Sequence, residues 1–390
     1  MSFEVFEALT IEQLRAVGSS KWVTYPDAIG AFIAESDFGT APAVQQAVRS
    51  RVETASLGYS TKAEKDAVGT AFARWAADRF DWHVDPAQVG VLPEVLTSLE
   101  LTLEHFSRPD SAVVLPTPAY MPFFTVLRDH RREVIETPLV RQGAGWGFDY
   151  DAIEAAFAAG AGLLVLVNPA NPTGTAFTRE QLLPLVDIVD RHGGKVWADE
   201  IHAPLLFDGR RHVPYASLSE TAALHTVTAT SASKGWNIAG LKCSQMILTN
   251  PDDLKAWRHV SRWPSHTTGY LGVFATIAAY DEGRDWLDEL TVHLQGHRDR
   301  LAGLVAEHLP DAGFIAPQAT YLAWLDLRAY GVTENLQAFL LREARVAGTD
   351  GRLCGRDHRG WFRVNFATPA PILDELVRRI AAALPAPSAP

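Results

Sequence analysis

Four short segments carry side chains whose types and order could do chemistry. Asn168-Pro-Ala-Asn171-Pro-Thr-Gly174 directly follows the apolar run Leu163–Val167. Two Asn-Pro steps and a glycine make a sharp loop, and open α/β sheets bind ligands at such strand ends; a plain turn would use the same residues. Asp199-Glu-Ile-His202 follows another apolar run, 196–198. A carboxylate there could hold a cationic ring nitrogen, accept a proton or bind a metal. A metal site of Asp199, Glu200 and His202 is disfavoured, because adjacent strand residues face opposite ways; no metal is expected. Ser231-Ala-Ser-Lys234 follows Thr226–Thr230. Its lysine is either an ordinary surface residue or an amine nucleophile that forms a Schiff base, with the hydroxyls and nearby Lys242 serving a phosphate. Phe362-Arg363-Val-Asn-Phe366 sets an arginine among apolar strand residues. Such an arginine is either paired structurally or presents its fork to a carboxylate.

Side chains so far apart in sequence need a scaffold that gathers them. The runs 113–115, 163–167, 196–198, 226–230 and 246–248 are short, apolar and bounded by Gly, Pro or Asn, a pattern that suits buried parallel strands. Among the intervening helices, one opens on Thr178 and Gln181, a capping-box pair. Leu182, Leu185, Val186 and Val189 follow at helical spacing until Gly193-Gly194 stops the pattern. The alternation predicts an α/β domain with helices on both sheet faces. Further on, 284–308, 335–347 and 372–384 read as helices and 321–327 and 361–366 as strands, a smaller α+β domain.

The chain has 390 residues, enough for two or three domains at roughly 150 residues each. Hydrophobic residues make up 47% and charged residues 21%, the balance of a globular protein. A formal net charge of −11 argues against general nucleic-acid binding but leaves room for a local cationic pocket. The two cysteines, Cys243 and Cys354, exclude a disulfide framework and a cysteine-rich zinc site. No apolar run approaches the roughly 20 residues needed to span a bilayer. Met1 to Thr10, with Glu4 and Glu7, has neither the basic region nor the apolar core of a signal peptide. A cytoplasmic protein without membrane or nucleic-acid partners is expected.

Taken together and in order, these segments resemble the fold-type I enzymes that use pyridoxal 5′-phosphate (PLP), specifically class I/II aminotransferases. The intervals are 28 residues from Asn171 to Asp199, 35 to Lys234 and 129 to Arg363. Within that superfamily, Asp199-Glu-Ile-His202, Phe207-Asp-Gly, Pro214-Tyr-Ala-Ser-Leu218 and Ser-Lys-x-x-Asn-Ile-Ala-Gly-Leu are similar to the MalY/PatB branch of cystathionine β-lyase-like C–S lyases. Pro118-Ala-Tyr-Met-Pro-Phe-Phe124 and Thr320-Tyr-Leu-Ala-Trp-Leu-Asp326 belong to the same likeness.

The resemblance implies a large, mostly parallel PLP-binding α/β domain over 46–280. It also implies a small α+β domain built from both chain ends, 1–45 and 281–390. It makes Lys234 the amine that carries the cofactor and moves the substrate Cα proton. Asp199 pairs with the pyridine nitrogen, Asn171 bonds the ring oxygen, Tyr120 stacks on the ring and His202 stands where many aminotransferases have a tyrosine. Val95 and Leu96, at a helix start, join Ser231, Ser233 and Lys242 around the phosphate. Tyr59 reaches the phosphate from the neighbouring subunit of a homodimer, and Arg363 clamps the substrate carboxylate. Two positions depart from the pattern: Glu94 stands where glycine is common, and Lys242 where arginine or glutamine is usual. The implied reaction is α,β-elimination from L-cystathionine or another cysteine S-conjugate, giving a thiol, pyruvate and ammonia. Transamination is the alternative, and a protein-interaction role with a transcription regulator is a further one.

Overall fold

The computed structural model describes residues 3–55, 57–143 and 145–387. Residues 1, 2 and 388–390 of the expected small domain thus lie outside the described residues. The larger sheet has seven strands: β1 (Val89–Leu92), β2 (Val113–Thr117), β3 (Val134–Pro138), β4 (Leu163–Val167), β5 (Lys195–Asp199), β6 (Thr226–Thr230) and β7 (Ser244–Leu248). Their spatial order is β1-β7-β6-β5-β4-β2-β3. All adjacent pairs are parallel except those made by β7, which runs antiparallel to both β1 and β6.

Apolar content on both faces drives this sheet into the interior. Along β4, Leu164 and Leu166 enter one core with Val196 and Ala198. Leu163 and Val165 enter the core on the opposite face, with Trp197, Val227 and Met246. Burial on both faces explains why these strands are continuous apolar runs instead of alternating ones. The helix Arg179–Arg191 that follows β4 starts at Thr178, where both halves of the expected capping box form. Strands β1 and β3 are not apparent in the sequence, since Gly90 interrupts one and Glu136-Thr137-Pro138 makes the other partly polar.

A second sheet of four strands, β8 (Gly313–Phe314), β9 (Leu322–Asp326), β10 (Thr349–Asp350) and β11 (Trp361–Asn365), has the order β8-β9-β11-β10. It packs with the long helix Arg284–His308 and the terminal helix Ala370–Ala383. The helix expected over 335–347 covers only Leu336–Glu343. Arg345 then adopts a left-handed φ of 53°, which ends the helix, and Val346–Ala347 pairs in parallel with Ile29–Gly30. Tertiary pairing with the N-terminal segment overrides local helical pattern here.

The two chain ends share one core, in which Trp22, Ile29 and Phe38 meet Leu322, Val364, Phe366 and Leu376. Polar ties reinforce it. Glu7 accepts hydrogen bonds from His293 and His297 at 2.7 and 2.6 Å and from the Ala370 N–H at 2.7 Å. Lys21, fully buried, donates to Asp37 at 2.8 Å, to the Ala367 carbonyl at 2.9 Å and to the Glu35 carbonyl at 3.3 Å. The Trp22 indole N–H donates to the other Asp37 oxygen at 2.9 Å. Every proton of this ammonium therefore has an acceptor. Removing one partner of such a buried pair strands a charge, at about 3–5 kcal/mol. Asp37→Ala is expected to lower folding stability by about that amount, measured as a lower urea midpoint at unchanged slope; a loss below about 1 kcal/mol would contradict a buried, charge-satisfying role.

Candidate active site

Parallel strands bring their C-terminal ends to one edge, and the chemistry lies there. Pro93 and Glu94 follow β1, Tyr120 follows β2, Asn171 follows β4, Asp199 closes β5, and Ser231 to Lys234 follow β6. Strand β7 contributes at its other end. Because it runs antiparallel, the residues just before it, Lys242 and Cys243, arrive at the same edge. Arg363 comes from β11, and Phe32, Ile33 and Ala34 come from the N-terminal segment. All of these line a single cavity of about 450 Å³.

Of the residues expected at the site, Lys234, Asp199, Asn171, Tyr120, His202, Ser231, Ser233, Lys242, Val95, Leu96 and Arg363 line this cavity. Tyr59 does not. It is 83% exposed and lies against His266, with ring centroids 5.1 Å apart. Glu200, weighed as a metal ligand with Asp199 and His202, faces away. Its carboxylate accepts from the Tyr215 N–H at 2.8 Å and lies 3.0 Å from His212 Nε2.

Phe32, Ile33 and Ala34 of the N-terminal segment wall the cavity, a role their side-chain types do not signal. The segment is clamped through its backbone carbonyls: Arg363 donates to Phe32, Asn365 to Ile33 and Glu35, and Lys234 and Tyr321 to Ala34. Recognition of backbone leaves little trace in side-chain types. Met121, Pro122, Val167 and Ile201 supply further apolar wall.

Burial sets the electrostatics of the cavity. Burial pushes the Asp199 carboxyl up to about 7, against the Ile201 N–H and Lys234, which favour the ion. Its only hydrogen bond within the described residues is from Ile201 N–H at 3.0 Å. Burial and then Arg363 press the Lys234 ammonium down to about 8, while Asp199 opposes them. The His202 ring, driven down to about 3 by burial and then by Lys234 and Arg363, is neutral, and its buried Nδ1 has no partner among the described residues. Arg363 is 2% exposed. It donates to Asn171 Oδ1 at 3.0 Å, to the Phe32 carbonyl at 2.5 Å and to Thr349 Oγ1 at 3.2 Å, while its buried Nε is unpartnered among the described residues.

A buried carboxylate with one hydrogen bond, a depressed lysine and an arginine with an unused donor are costly unless a ligand completes them. An aromatic ring bearing a protonated nitrogen, an aldehyde and a phosphate fits that set. Asp199 matches the nitrogen and Lys234 the aldehyde, and the backbone N–H groups at the start of helix Val95–Leu101, which lack intrahelical acceptors, match the phosphate. Ser231 is partly committed, since its hydroxyl donates to the Cys243 carbonyl at 2.8 Å and accepts the Ser233 N–H at 3.0 Å. Glu94 and Lys242, the two departures in the sequence, form an ion pair with each other.

The fold is that of the large class of fold-type I pyridoxal-phosphate enzymes. Within it, the model of the Aminotransferase class I and II family matches residues 29–380, and the chain belongs to that family. It is 36% identical to a cystathionine beta-lyase of Corynebacterium glutamicum over 377 residues, 96% of this chain and 99% of the relative. It is 33% identical to cystathionine beta-lyase PatB of Bacillus subtilis (strain 168), over 92% of this chain and 93% of the relative. Among solved structures, the PLP-bound C–S lyase from Staphylococcus hominis superimposes with a TM-score of 0.87 at 28% identity, covering 95% of this chain and 96% of that one.

Proposed function

We propose that the chain is a PLP-dependent carbon–sulfur β-lyase that cleaves L-cystathionine or another cysteine S-conjugate to a thiol, pyruvate and ammonia. The carrying observation is the convergence of Lys234, Asp199 and Arg363 on one cavity, in a chain related over nearly its whole length to cystathionine beta-lyases. Bound PLP supplies an electron sink that makes a substrate Cα proton acidic.

The protein residues do the rest. Arg363 holds the substrate carboxylate, its fork braced by Asn171, Phe32 and Thr349 so that little ordering remains to be done on binding. Lys234, with its affinity for protons lowered to near neutrality, removes the Cα proton and can return one. Asp199 gains a cationic partner and keeps the ring nitrogen protonated. His202, neutral, offers a ring N–H where a charged imidazolium would repel Lys234 and Arg363. Phe32, Ile33, Met121 and Pro122 exclude water around the departing sulfur. We also propose that Tyr59 enters the neighbouring subunit's site of a homodimer, a reading supported by its exposure and by its not lining the cavity of its own chain. Free, buried Cys243 and Cys354 suit a reducing cytoplasm. No helix among the described residues is long and apolar enough to cross a membrane.

Acceptor dependence separates lyase from aminotransferase. Purified protein with PLP and L-cystathionine is expected to yield pyruvate and ammonia in equal amounts, with a thiol, and without any keto acid added. A strict need for 2-oxoglutarate, with no pyruvate in its absence, would assign it to transamination.

A further inference from the structure

The rung pattern between β1 and β7 sets Glu94 opposite Lys242. Ser244 pairs with Leu92 and Gln245 with Val91 in the antiparallel ladder. Two residues past the Leu92 rung on one strand comes Glu94, and two residues before Ser244 on the other comes Lys242. Both chains are held beyond the ladder. Lys242 has a left-handed φ of 55°, and its carbonyl accepts the Gly269 N–H at 2.8 Å. Glu94 has the extended backbone that precedes helix Val95–Leu101. The two side chains close an ion pair on the rim of the cavity, with 52% and 46% of their surfaces exposed.

The cavity is lined by three cationic side chains, Lys234, Lys242 and Arg363. Lys234 is engaged with the Ala34 carbonyl and Arg363 is braced by three acceptors. Lys242 is thus the cation left for a phosphate, and a carboxylate already holds it. A phosphate monoester carries a charge near −2. It must share Lys242 with Glu94 or take it, and in either case it sits beside a like charge.

We infer that Glu94 is a tethered competitor of the cofactor phosphate for Lys242, which keeps PLP binding weaker and more exchangeable than the rest of the site would make it. This rests on the PLP reading above. Nothing in the folding of the region requires Glu94: its side chain is half exposed, caps no helix N–H and, among the described residues, makes no hydrogen bond other than that to Lys242. Its effect is therefore on ligand exchange, not on stability.

The test is titration of the cofactor-stripped protein with PLP and, separately, with pyridoxal, followed by visible absorbance. Glu94→Gln is expected to tighten PLP binding about five- to tenfold and to slow its dissociation, since an exposed pair is modest and repulsion of a dianion adds to it. Pyridoxal, which lacks the phosphate, should bind both proteins equally. Lys242→Gln should weaken PLP binding, and more so when Glu94 is already glutamine, because only then is the lysine fully available. Inorganic phosphate should compete with PLP more effectively in Glu94→Gln. Equal PLP affinity in wild type and Glu94→Gln, or an equal gain for pyridoxal, overturns the competition while leaving the cofactor assignment intact. A wild-type protein that binds no PLP at all overturns the cofactor reading itself.

Discussion

Lys234→Ala is expected to fold, to lose the visible absorption of the PLP-loaded protein, and to lose C–S cleavage by roughly 10⁴-fold or more, because the proposed function makes one residue both the nucleophile that carries the cofactor and the proton carrier. Folding should survive. Among the described residues the amine makes a single hydrogen bond, to the Ala34 carbonyl at 2.9 Å, and burial already disfavours its charge, so truncation removes a poorly solvated group instead of a support. The melting temperature of the cofactor-stripped variant should match or exceed that of wild type. Lys234→Arg, which keeps a cation but no titratable amine, should be as inactive as the alanine variant. In wild type, borohydride reduction should fix the cofactor to the peptide containing Lys234, seen by mass, and in neither variant should it do so. A variant that turned over at more than about a hundredth of the wild-type rate would remove Lys234 from the chemistry.

Asp199→Asn should separate stability from function. In the ligand-free protein, burial lifts this carboxyl from 3.8 to about 7. The folded state then binds the proton more tightly than the unfolded chain. Stability contributed by the protonated acid is present at low pH and is lost as pH rises from about 4 to about 7. Above that range an ionised Asp199 costs the cofactor-stripped protein roughly 4 kcal/mol. Asparagine keeps the acceptor for Ile201 N–H and has nothing to ionise. Cofactor-stripped Asp199→Asn should therefore melt higher than wild type at pH 8, with the difference shrinking toward pH 4. Its turnover should nevertheless fall about 10²- to 10³-fold, since the partner proposed to hold the ring nitrogen protonated is gone. A variant less stable than wild type at pH 8 would mean that the buried charge is paid for by contacts within the protein alone.

The α/β character and most central strands were legible because strands buried on both faces must be apolar throughout. Lys234, Asp199, Asn171 and Arg363 were legible because each directly follows or interrupts such a run, where a polar residue stands out. Other features depended on pairing at long range. The direction of β7 follows from its neighbours and not from its five residues, and without it the pairing of Lys242 with Glu94 has no basis. The 32–36 wall acts through carbonyl groups that every residue possesses. The helix ending at Glu343 looked longer because Val346 and Ala347 suit either state, and pairing with Ile29–Gly30 decided the matter. Tyr59 matched a family position by sequence, yet it does not line the site cavity of its own chain.

The bond from Arg363 to the Phe32 carbonyl joins residues 331 positions apart. During synthesis the Arg363 end of the cavity cannot exist until nearly the whole chain has left the ribosome, which takes about 20–80 s at 5–20 residues per second. The seven strands of the larger sheet, complete by Leu248, emerge well before that. A nascent chain will thus present Lys234 and Asp199 in an open half-site for many seconds. The N-terminal segment waits all that time for its C-terminal partner, so an early stop codon removes the clamp while sparing the sheet.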